Sequence, residues 1–219
     1  MKKSILPEVN SPEDLKHLNT IELSQLSVEV SDHIKSVIEE HGGHYSSPLG
    51  VVDLTVALHY VYNSPKDKII WDVGHQAYAH KILTGRRDQF HTLRQKDGIS
   101  GFLKRSESEH DIVGAGHAST SISSALGFAH ARDKNKTDNQ IVSVIGDGAM
   151  SGGLAYEGIN NLGFHKTQMT IVLNDNSMSI SQSVGALSRY LNRVVTNPTY
   201  NRIRNDIWNL SGKIPLSSF

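Results

Sequence analysis

The sequence predicts an α/β protein in which a parallel sheet carries helices on both faces. Three short apolar segments, residues 68–72, 140–145 and 169–173, have the length and composition of buried strands. Segments with the apolar spacing of helices alternate with them. Parallel sheets bind ligands beyond the carboxyl ends of their strands, so one binding crevice is predicted there. The residues at these strand ends are His75, Gly146-Asp147-Gly148 and Asn174-Asp175-Asn176.

Helices are predicted before the first strand. Two of them span residues 11–42, and the first begins at Ser11 because Pro12 favours a helix start. The second has apolar residues at helical spacing and ends at the glycine pair 42–43. An apolar helix near residues 50–62 leads into the first strand.

The elements after the first strand continue the alternation. Residues 97–116 are polar and contain several glycines, which predicts a long ordered loop, and loops of that length are often functional. Helices are then predicted up to about residue 133 and at residues 151–162, each followed by a strand, with an amphipathic helix around residues 200–210. Residues 1–219 are expected to form a single domain, with a polar loop or tail at about 182–219.

Composition excludes several classes of protein. The 22 Lys and Arg residues balance 22 Asp and Glu residues, so no strong electrostatic field attracts nucleic acid or an anionic membrane. No apolar stretch approaches the roughly 18 residues of a membrane span. Neither a nucleic acid nor a membrane is therefore expected as a partner. The chain has no cysteine, which excludes disulfides and thiolate catalysis and fits a reducing compartment, so we expect a cytoplasmic protein.

The glycine-rich turn after the second strand has two interpretations. In an NADP-dependent dehydrogenase, Gly146, Gly148 and Gly152 would form a variant of the dinucleotide-binding turn, and Asp175 would bind a ribose. However, Asp147 stands between the first two glycines, and its carboxylate would repel a pyrophosphate unless a cation lay between them. A bound metal ion resolves this conflict.

Magnesium suits this turn because Mg²⁺ takes oxygen ligands from one or two side chains together with phosphate and water. Asp147 offers a carboxylate, and Asn176 offers an amide oxygen from the next strand end. The glycines beside Asp147 let the backbone approach a diphosphate, and the helix that begins near Ser151 favours negative charge. Either tripeptide alone is more often a plain turn, but the pair at successive strand ends favours a magnesium and diphosphate site.

The two tripeptides resemble the magnesium and thiamine diphosphate motif of the thiamine-dependent transketolase superfamily. Longer segments narrow the resemblance to the 1-deoxy-D-xylulose-5-phosphate synthase family, over about residues 20–213. The fold that this implies is the thiamine diphosphate-binding, transketolase-like PP domain, of which the chain holds a part. The matching segments are 71–78, 80–87, 104–109, 116–123 and 174–181.

The resemblance implies a thiamine diphosphate- and Mg²⁺-dependent condensation of pyruvate with D-glyceraldehyde 3-phosphate. The products are 1-deoxy-D-xylulose 5-phosphate and CO₂, at the start of non-mevalonate isoprenoid synthesis. By the same resemblance, the magnesium ligands are Asp147, Asn176 and the Met178 carbonyl. The implied cofactor contacts are His75, Gly116, His117, Ala118, Gly148, Ala149, Asn176 and Ile180.

His44 and His75 are the predicted catalytic residues. Both match histidines of the family, His44 in the loop Gly-His-x-x-Ser and His75 at the diphosphate end, and imidazole exchanges protons near neutral pH. A histidine taken at random is more often structural, but the motif matches favour catalysis here. Two basic pairs, Arg86-Arg87 and Lys104-Arg105, are further candidates for binding the substrate phosphate. They stay outside the predicted site because such pairs are usually solvated surface.

The chain departs from the family pattern in two ways. Ala118 stands where the family usually has serine, so a backbone amide would have to replace that hydroxyl. The family also has a pyrimidine-binding domain, whose glutamate activates the cofactor, and a third domain, and this chain contains neither. We therefore expect a fragment or a subunit of a split enzyme, inactive alone and prone to self-association. Its site would be completed in a homodimer or by a complementary chain, and a non-catalytic cofactor-binding fragment is the alternative.

Overall fold

A computed structural model of the chain describes residues 3–114, 116–175 and 202. The chain divides into two compact units, Met1–Met178 and Ser179–Phe219, and all described residues except Arg202 belong to the first. The predicted ligand positions Asn176, Met178 and Ile180 lie outside the described residues. So do the predicted helix around 200–210 and the tail, apart from Arg202, and the single-domain organisation stays a prediction.

The N-terminal part of the first unit is helical. Two 3₁₀ turns, Leu6–Glu8 and Pro12–His17, precede α1 (Thr20–His41), α2 (Ser46–Leu49) and α3 (Val52–Val61). The Asn19 side chain caps α1 by accepting the Ile21 N–H at 2.9 Å, and α1 ends at Gly42, whose φ is 75°. The helix predicted to begin at Ser11 is a 3₁₀ helix of six residues, Pro12–His17, and not an α-helix.

Three parallel strands form the sheet, with β2 in the centre. They are β1 (Lys68–Trp71), β2 (Ile141–Gly146) and β3 (Thr170–Asn174). α4 (Tyr78–Lys81), a π turn at Ile82–Arg86, a 3₁₀ turn at Phe90–Thr92 and α5 (Ser121–Asn135) separate β1 from β2. A 3₁₀ turn at Ala149–Ser151 and α6 (Gly153–His165) separate β2 from β3.

Both faces of the sheet are covered, because alternate residues of each strand point to opposite sides. On one face, Trp71 and Val144 pack in a cluster with Leu58 of α3. On the other face, Ile70 packs with Ala125 of α5. This confirms the predicted fold class, a parallel sheet with helices on both sides. None of the described helices combines the length and the apolar character needed to cross a bilayer.

The register of the sheet brings the carboxyl ends of the strands to one edge. Trp71 of β1 pairs with Val144 of β2, and Gly146 of β2 pairs with Asn174 of β3. The predicted long loop is also confirmed, since the described part of residues 97–116 contains neither helix nor strand. The edge of the sheet and this loop position the site.

Candidate active site

A sharp turn after β1 places His75 at the edge of the sheet. Val73 and Gly74 both have positive φ, 57° and 84°. A β-branched residue rarely adopts this conformation, and backbone strain of this kind is concentrated at functional sites. The His75 side chain is half-buried, and its Nδ1 atom is buried without a hydrogen-bond partner among the described residues. The turn therefore holds an unsatisfied polar atom where the sequence predicts a ligand.

His44 and His75, the two predicted catalytic residues, come together although α2, α3 and β1 separate them in the sequence. Their ring centroids are 5.1 Å apart in an edge-to-face arrangement. The Tyr78 hydroxyl oxygen accepts the His44 backbone N–H at 3.4 Å and lies 3.5 Å from His44 Nδ1. The Phe102 ring lies on another side of His44, with 6.0 Å between centroids. The structure thus brings the two histidines together, with the aromatic rings of Tyr78 and Phe102 beside His44.

The surroundings of both histidines favour the neutral imidazole. Burial lowers the pKa of His44, and the positive charge of Arg94 lowers it further. Burial also lowers the pKa of His75, with a smaller contribution from the nearby His44 ring. A neutral imidazole can accept a proton at one ring nitrogen and donate from the other. Each neutral ring therefore has a nitrogen free of a proton, as a proton acceptor requires.

The loop before α5 is tied to the end of β1 by a buried carboxylate. Asp72 Oδ1 accepts the Ser119 N–H at 2.8 Å, and Oδ2 accepts the Ser121 N–H at 2.9 Å. The predicted contacts Gly116, His117 and Ala118 precede these anchors and are exposed. Asp72 therefore holds an exposed segment of backbone beside the strand end that leads to His75.

The turn after β2 joins the same edge through two further hydrogen bonds. Ser119 Oγ donates to the Ala149 carbonyl at 2.6 Å, and the Asp147 N–H donates to the Asn174 carbonyl of β3 at 3.1 Å. Asp147 and Ala149 are partly exposed, and Gly148 is exposed with open space where a Cβ would lie. The predicted residues His75, Gly116–Ala118 and Asp147–Ala149 thus lie along linked segments at one edge of the sheet.

Some residues of this site are not among those predicted from the sequence. Asp72, Tyr78, Phe102 and Ser119 hold or surround the predicted residues through the contacts given above. The sequence did offer a signal for Asp72, because a carboxylate at the end of the apolar segment 68–72 needs hydrogen-bond donors if that segment is a buried strand. The approach of Phe102 to His44 has no such signal, because the loop that carries Phe102 has no periodic pattern.

The basic pairs considered for phosphate binding have different environments. Arg86 is buried and forms two 2.8 Å hydrogen bonds with Asp111. Arg87 donates to the Leu6 and Val9 carbonyls at 2.7 and 2.9 Å. Lys104 and Arg105 are exposed. The arginine pair therefore serves internal contacts and is not the solvated surface that the sequence predicts, whereas that prediction holds for Lys104 and Arg105.

Comparison with known proteins decides the family. Residues 6–217 match the family model described as 1-deoxy-D-xylulose-5-phosphate synthase. The chain belongs to this family. The dinucleotide interpretation of the turn after β2 consequently loses its support.

Relatives in several bacteria carry the same description. The chain is 56% identical to the 1-deoxy-D-xylulose-5-phosphate synthase of Halothermothrix orenii over 212 residues, which are 97% of this chain and 33% of that protein. It is 57% identical over 203 residues to 1-deoxy-D-xylulose-5-phosphate synthase 2 of Geobacter sulfurreducens, covering 93% of this chain and 32% of the relative. The chain thus spans about a third of the length of the relatives it matches.

A solved structure supports the fold. The transketolase of Campylobacter jejuni superposes with a TM-score of 0.66 at 21% sequence identity, covering 74% of this chain and 29% of the transketolase. At this identity the similarity establishes the fold alone. The transketolase-like fold predicted from the sequence is confirmed.

Proposed function

We propose that this chain supplies the diphosphate- and magnesium-binding half of a thiamine diphosphate-dependent active site. The reaction that we assign to the complete enzyme condenses pyruvate with D-glyceraldehyde 3-phosphate to 1-deoxy-D-xylulose 5-phosphate and CO₂, the entry step of isoprenoid synthesis. The proposal follows the family of the chain. Its main structural support is the Asp147-Gly148 turn, which is linked through Ser119 to the edge that carries His75. The setting that we propose is a homodimeric cytoplasmic enzyme.

The residues at this edge fit a diphosphate. Gly148 is exposed with open space around it, and Gly116, with a φ of 145°, has no atom near the position of a Cβ. α6 begins without a side-chain cap and without an acidic residue in its first turn. Its first backbone N–H groups therefore suit an anion.

Magnesium fits only with ligands from beyond the described residues. Asp147 provides one partly exposed carboxylate, and no group of three or more His, Asp or Glu among residues 3–114 and 116–175 could hold a metal ion. Magnesium often takes few protein ligands and completes its shell with phosphate oxygens. We propose Asn176, the Met178 carbonyl and the diphosphate as its further ligands, and Ile180 as a contact of the cofactor.

The proposed chemistry of the histidines follows from their contacts. Bound thiamine diphosphate would supply the electron sink for making and breaking the carbon–carbon bonds. His44, kept neutral by burial and by Arg94, would accept and return protons at Nε2, because its Nδ1 faces the Tyr78 hydroxyl. His75 would hold the second proton-transfer position beside it, 5.1 Å away between ring centroids. The Phe102 ring would limit the access of water to this pair.

Binding of the cofactor tests this proposal directly. Asp147→Ala is expected to abolish Mg²⁺-dependent binding of thiamine diphosphate, because the diphosphate loses its metal bridge to the protein. Isothermal titration calorimetry with and without Mg²⁺ measures this, with Asp138→Asn as the matched control. Asp138 is exposed and lies at the opposite edge of the sheet, before β2. Equal affinities of wild type and Asp147→Ala would exclude the assigned role of Asp147.

A further inference from the structure

A buried cluster of charged side chains outside the proposed cofactor site holds the loop that carries Phe102. Lys81 and Arg86, from α4 and the π turn, contact Glu107 and Asp111 of the loop. The exposed fractions of these side chains are 0%, 5%, 13% and 0%. Charged groups buried this deeply cost free energy unless good geometry and further hydrogen bonds offset the loss of water. Such a cluster is weak evidence for stability, but it can specify one arrangement of the chain.

Each carboxylate of the cluster binds a cation and a backbone N–H of its own loop. Glu107 Oε2 accepts from Lys81 Nζ at 2.5 Å, and its Oε1 accepts the Ser100 N–H at 2.7 Å. Asp111 accepts both Arg86 bonds and, through Oδ2, the Lys104 N–H at 2.9 Å. The loop has no helix or strand in its described part, so these bonds fix its local shape together with turns such as the one in which the Glu107 N–H donates to the Lys104 carbonyl at 2.8 Å.

The two anchored amides flank Phe102. Ser100 lies two residues before it and Lys104 two residues after it, so the backbone is held on both sides of the ring. The Ser100 hydroxyl also accepts the Phe102 N–H at 3.2 Å. Held in this way, the half-buried Phe102 ring packs edge-to-face on His44. Burial, to which this ring contributes, is the main cause of the lowered His44 pKa.

We propose that Glu107 and Asp111 are positioning residues that hold Phe102 against His44, Glu107 through the Ser100 amide and Asp111 through the Lys104 amide. They keep solvent from the His44 imidazole and so favour its neutral form. The geometric part of this proposal stands on the described contacts alone. Its relevance to proton transfer rests on the proposed function.

The experiment separates positioning from stability with two double variants. Lys81→Met with Glu107→Met, the Met–Met variant, removes both charges and the acceptor of the Ser100 N–H. Lys81→Met with Glu107→Gln, the Met–Gln variant, also removes both charges but retains an acceptor. Neither leaves an uncompensated buried charge, which is the main hazard to folding. Glu109→Gln is the matched control, because Glu109 is an exposed glutamate of the same loop. Phe102→Leu supplies the reference state without the ring.

The measurement is NMR of the isotopically labelled 219-residue chain, following the His44 pKa and the cross-peaks between the His44 and Phe102 rings. The Met–Met variant is expected to lose these cross-peaks and to raise the His44 pKa to the value found in Phe102→Leu. The Met–Gln variant and Glu109→Gln are expected to match wild type. Wild-type behaviour of the Met–Met variant, or identical changes in both double variants, would overturn the role of Glu107.

Hydrogen exchange of the wild type gives a test that does not depend on the folding of any variant, and it covers Asp111 as well. The Ser100 and Lys104 amides are expected to exchange at least about 10-fold more slowly than the amide of the exposed Arg105. Unprotected amides at both positions would overturn the proposal. Calorimetry with thiamine diphosphate and Mg²⁺ on the same wild-type sample tests the proposed function separately, since failure to bind leaves the contact between Phe102 and His44 measurable.

Discussion

At the scale of single residues, the chemistry of the candidate site rests on a few side chains in unusual surroundings. His44 and His75 have lowered pKa values because both are partly buried, and each lies within contact distance of the other. Asp72 is buried, and both of its carboxylate oxygens accept hydrogen bonds from backbone N–H groups. These side chains are held by the surrounding structure, as residues that must meet a ligand in one geometry require.

His44 is predicted to act in turnover more than in cofactor binding. In an enzyme completed to the length of its relatives, His44→Ala should lower the rate of CO₂ release from pyruvate by about 10²- to 10⁴-fold, the usual contribution of general acid–base catalysis. Thiamine diphosphate affinity should change little, because His44 is not among the predicted ligands of the diphosphate or of magnesium. His91→Ala, which alters an exposed histidine in another turn, is the control. Unchanged turnover in His44→Ala would make His44 a structural residue.

At the scale of elements, the candidate site is positioned by hydrogen bonds between loops as well as by the sheet. The strands bring their ends to one edge, but the exposed loop before α5 is fixed there by Asp72 and by the bond from Ser119 to Ala149. α6 begins next to this contact, at Gly153. A substitution that disrupts the contact between Ser119 and the start of α6 should therefore reduce local order at the proposed diphosphate site.

Gly152 permits the close approach of Ser119 to the start of α6. A Cβ at Gly152 would collide with Ser119 Oγ and Cβ, so Gly152→Ala is expected to destabilise the protein by about 1–3 kcal/mol. Ser119→Gly should relieve the collision, and glycine tolerates the φ of 70° at this position. Urea unfolding of the double-mutant cycle is expected to show a coupling free energy of about 0.5–3 kcal/mol.

The control for this cycle, Gly163, lies within α6, the helix that follows Gly152. At Gly163 a Cβ would meet no atom within 4 Å, so Gly163→Ala should leave the free energy of unfolding unchanged or raise it slightly. If Gly152→Ala and Gly163→Ala have the same effect, the tight contact between Ser119 and Gly152 does not exist in solution.

The buried histidines around the charged cluster predict a dependence of stability on pH. Burial lowers the pKa of His80 to about 4, although the hydrogen bond that its imidazole donates to Asp111 acts in the opposite direction, and burial also lowers the pKa of His59. Between about pH 6.5 and about pH 4, the unfolded chain therefore binds more protons at these residues than the folded chain. The free energy of unfolding should therefore decrease as the pH is lowered from about 6.5 to about 4, by up to about 1.4 kcal/mol per pH unit for each such histidine.

Denaturant unfolding at half-unit steps of pH measures this dependence. His80→Gln should reduce the slope between about pH 6.5 and pH 4, while His91→Gln, at an exposed position, should not. Asp111 adds a further loss only below about pH 4, because its pKa is lowered by hydrogen bonds from His80 and Arg86 that outweigh burial. A wild-type stability that stays constant between pH 6.5 and 4.5 would contradict the buried, neutral state of His80.

At the scale of the whole molecule, the chain matches about a third of each relative. The described unit carries the edge at which we place the diphosphate, whereas the resemblance assigns activation of the pyrimidine to a glutamate of another domain. Apolar side chains of α6 are exposed, among them Leu154 and Phe164, at 42% and 82%. Exposed apolar surface is consistent with self-association, which stays a prediction.

The purified 219-residue chain alone is expected to have no synthase activity. Without the glutamate that activates the aminopyrimidine, bound cofactor would not react with pyruvate. The assay measures CO₂ release from pyruvate in the presence of Mg²⁺, thiamine diphosphate and D-glyceraldehyde 3-phosphate. Activity that appears on adding a polypeptide with the remaining two thirds of a relative would support the prediction. Robust turnover by the chain alone would contradict it.

The sequence by itself determined the fold class, the order of the elements and the family. Short apolar segments and glycine-rich turns are local signals, so β1, β2, β3 and the turn at Asp147 could be read from the order of residues. The family motifs also identified His44 and His75 as candidates. The sequence was a poorer guide to the boundaries of the elements and to the type of helix, as the 3₁₀ helix Pro12–His17 illustrates.

Tertiary structure decided which residues meet. The pairing of His44 with His75, the aromatic wall of Phe102 and the Asp72 anchor join segments that are distant in the chain. The sequence predicts only a polar loop over residues 97–116, whereas in the structure Glu107 and Asp111 of this loop turn inward to buried cations and backbone amides. No local pattern encodes such contacts, because their free energy depends on burial and on partners that only the folded chain brings together.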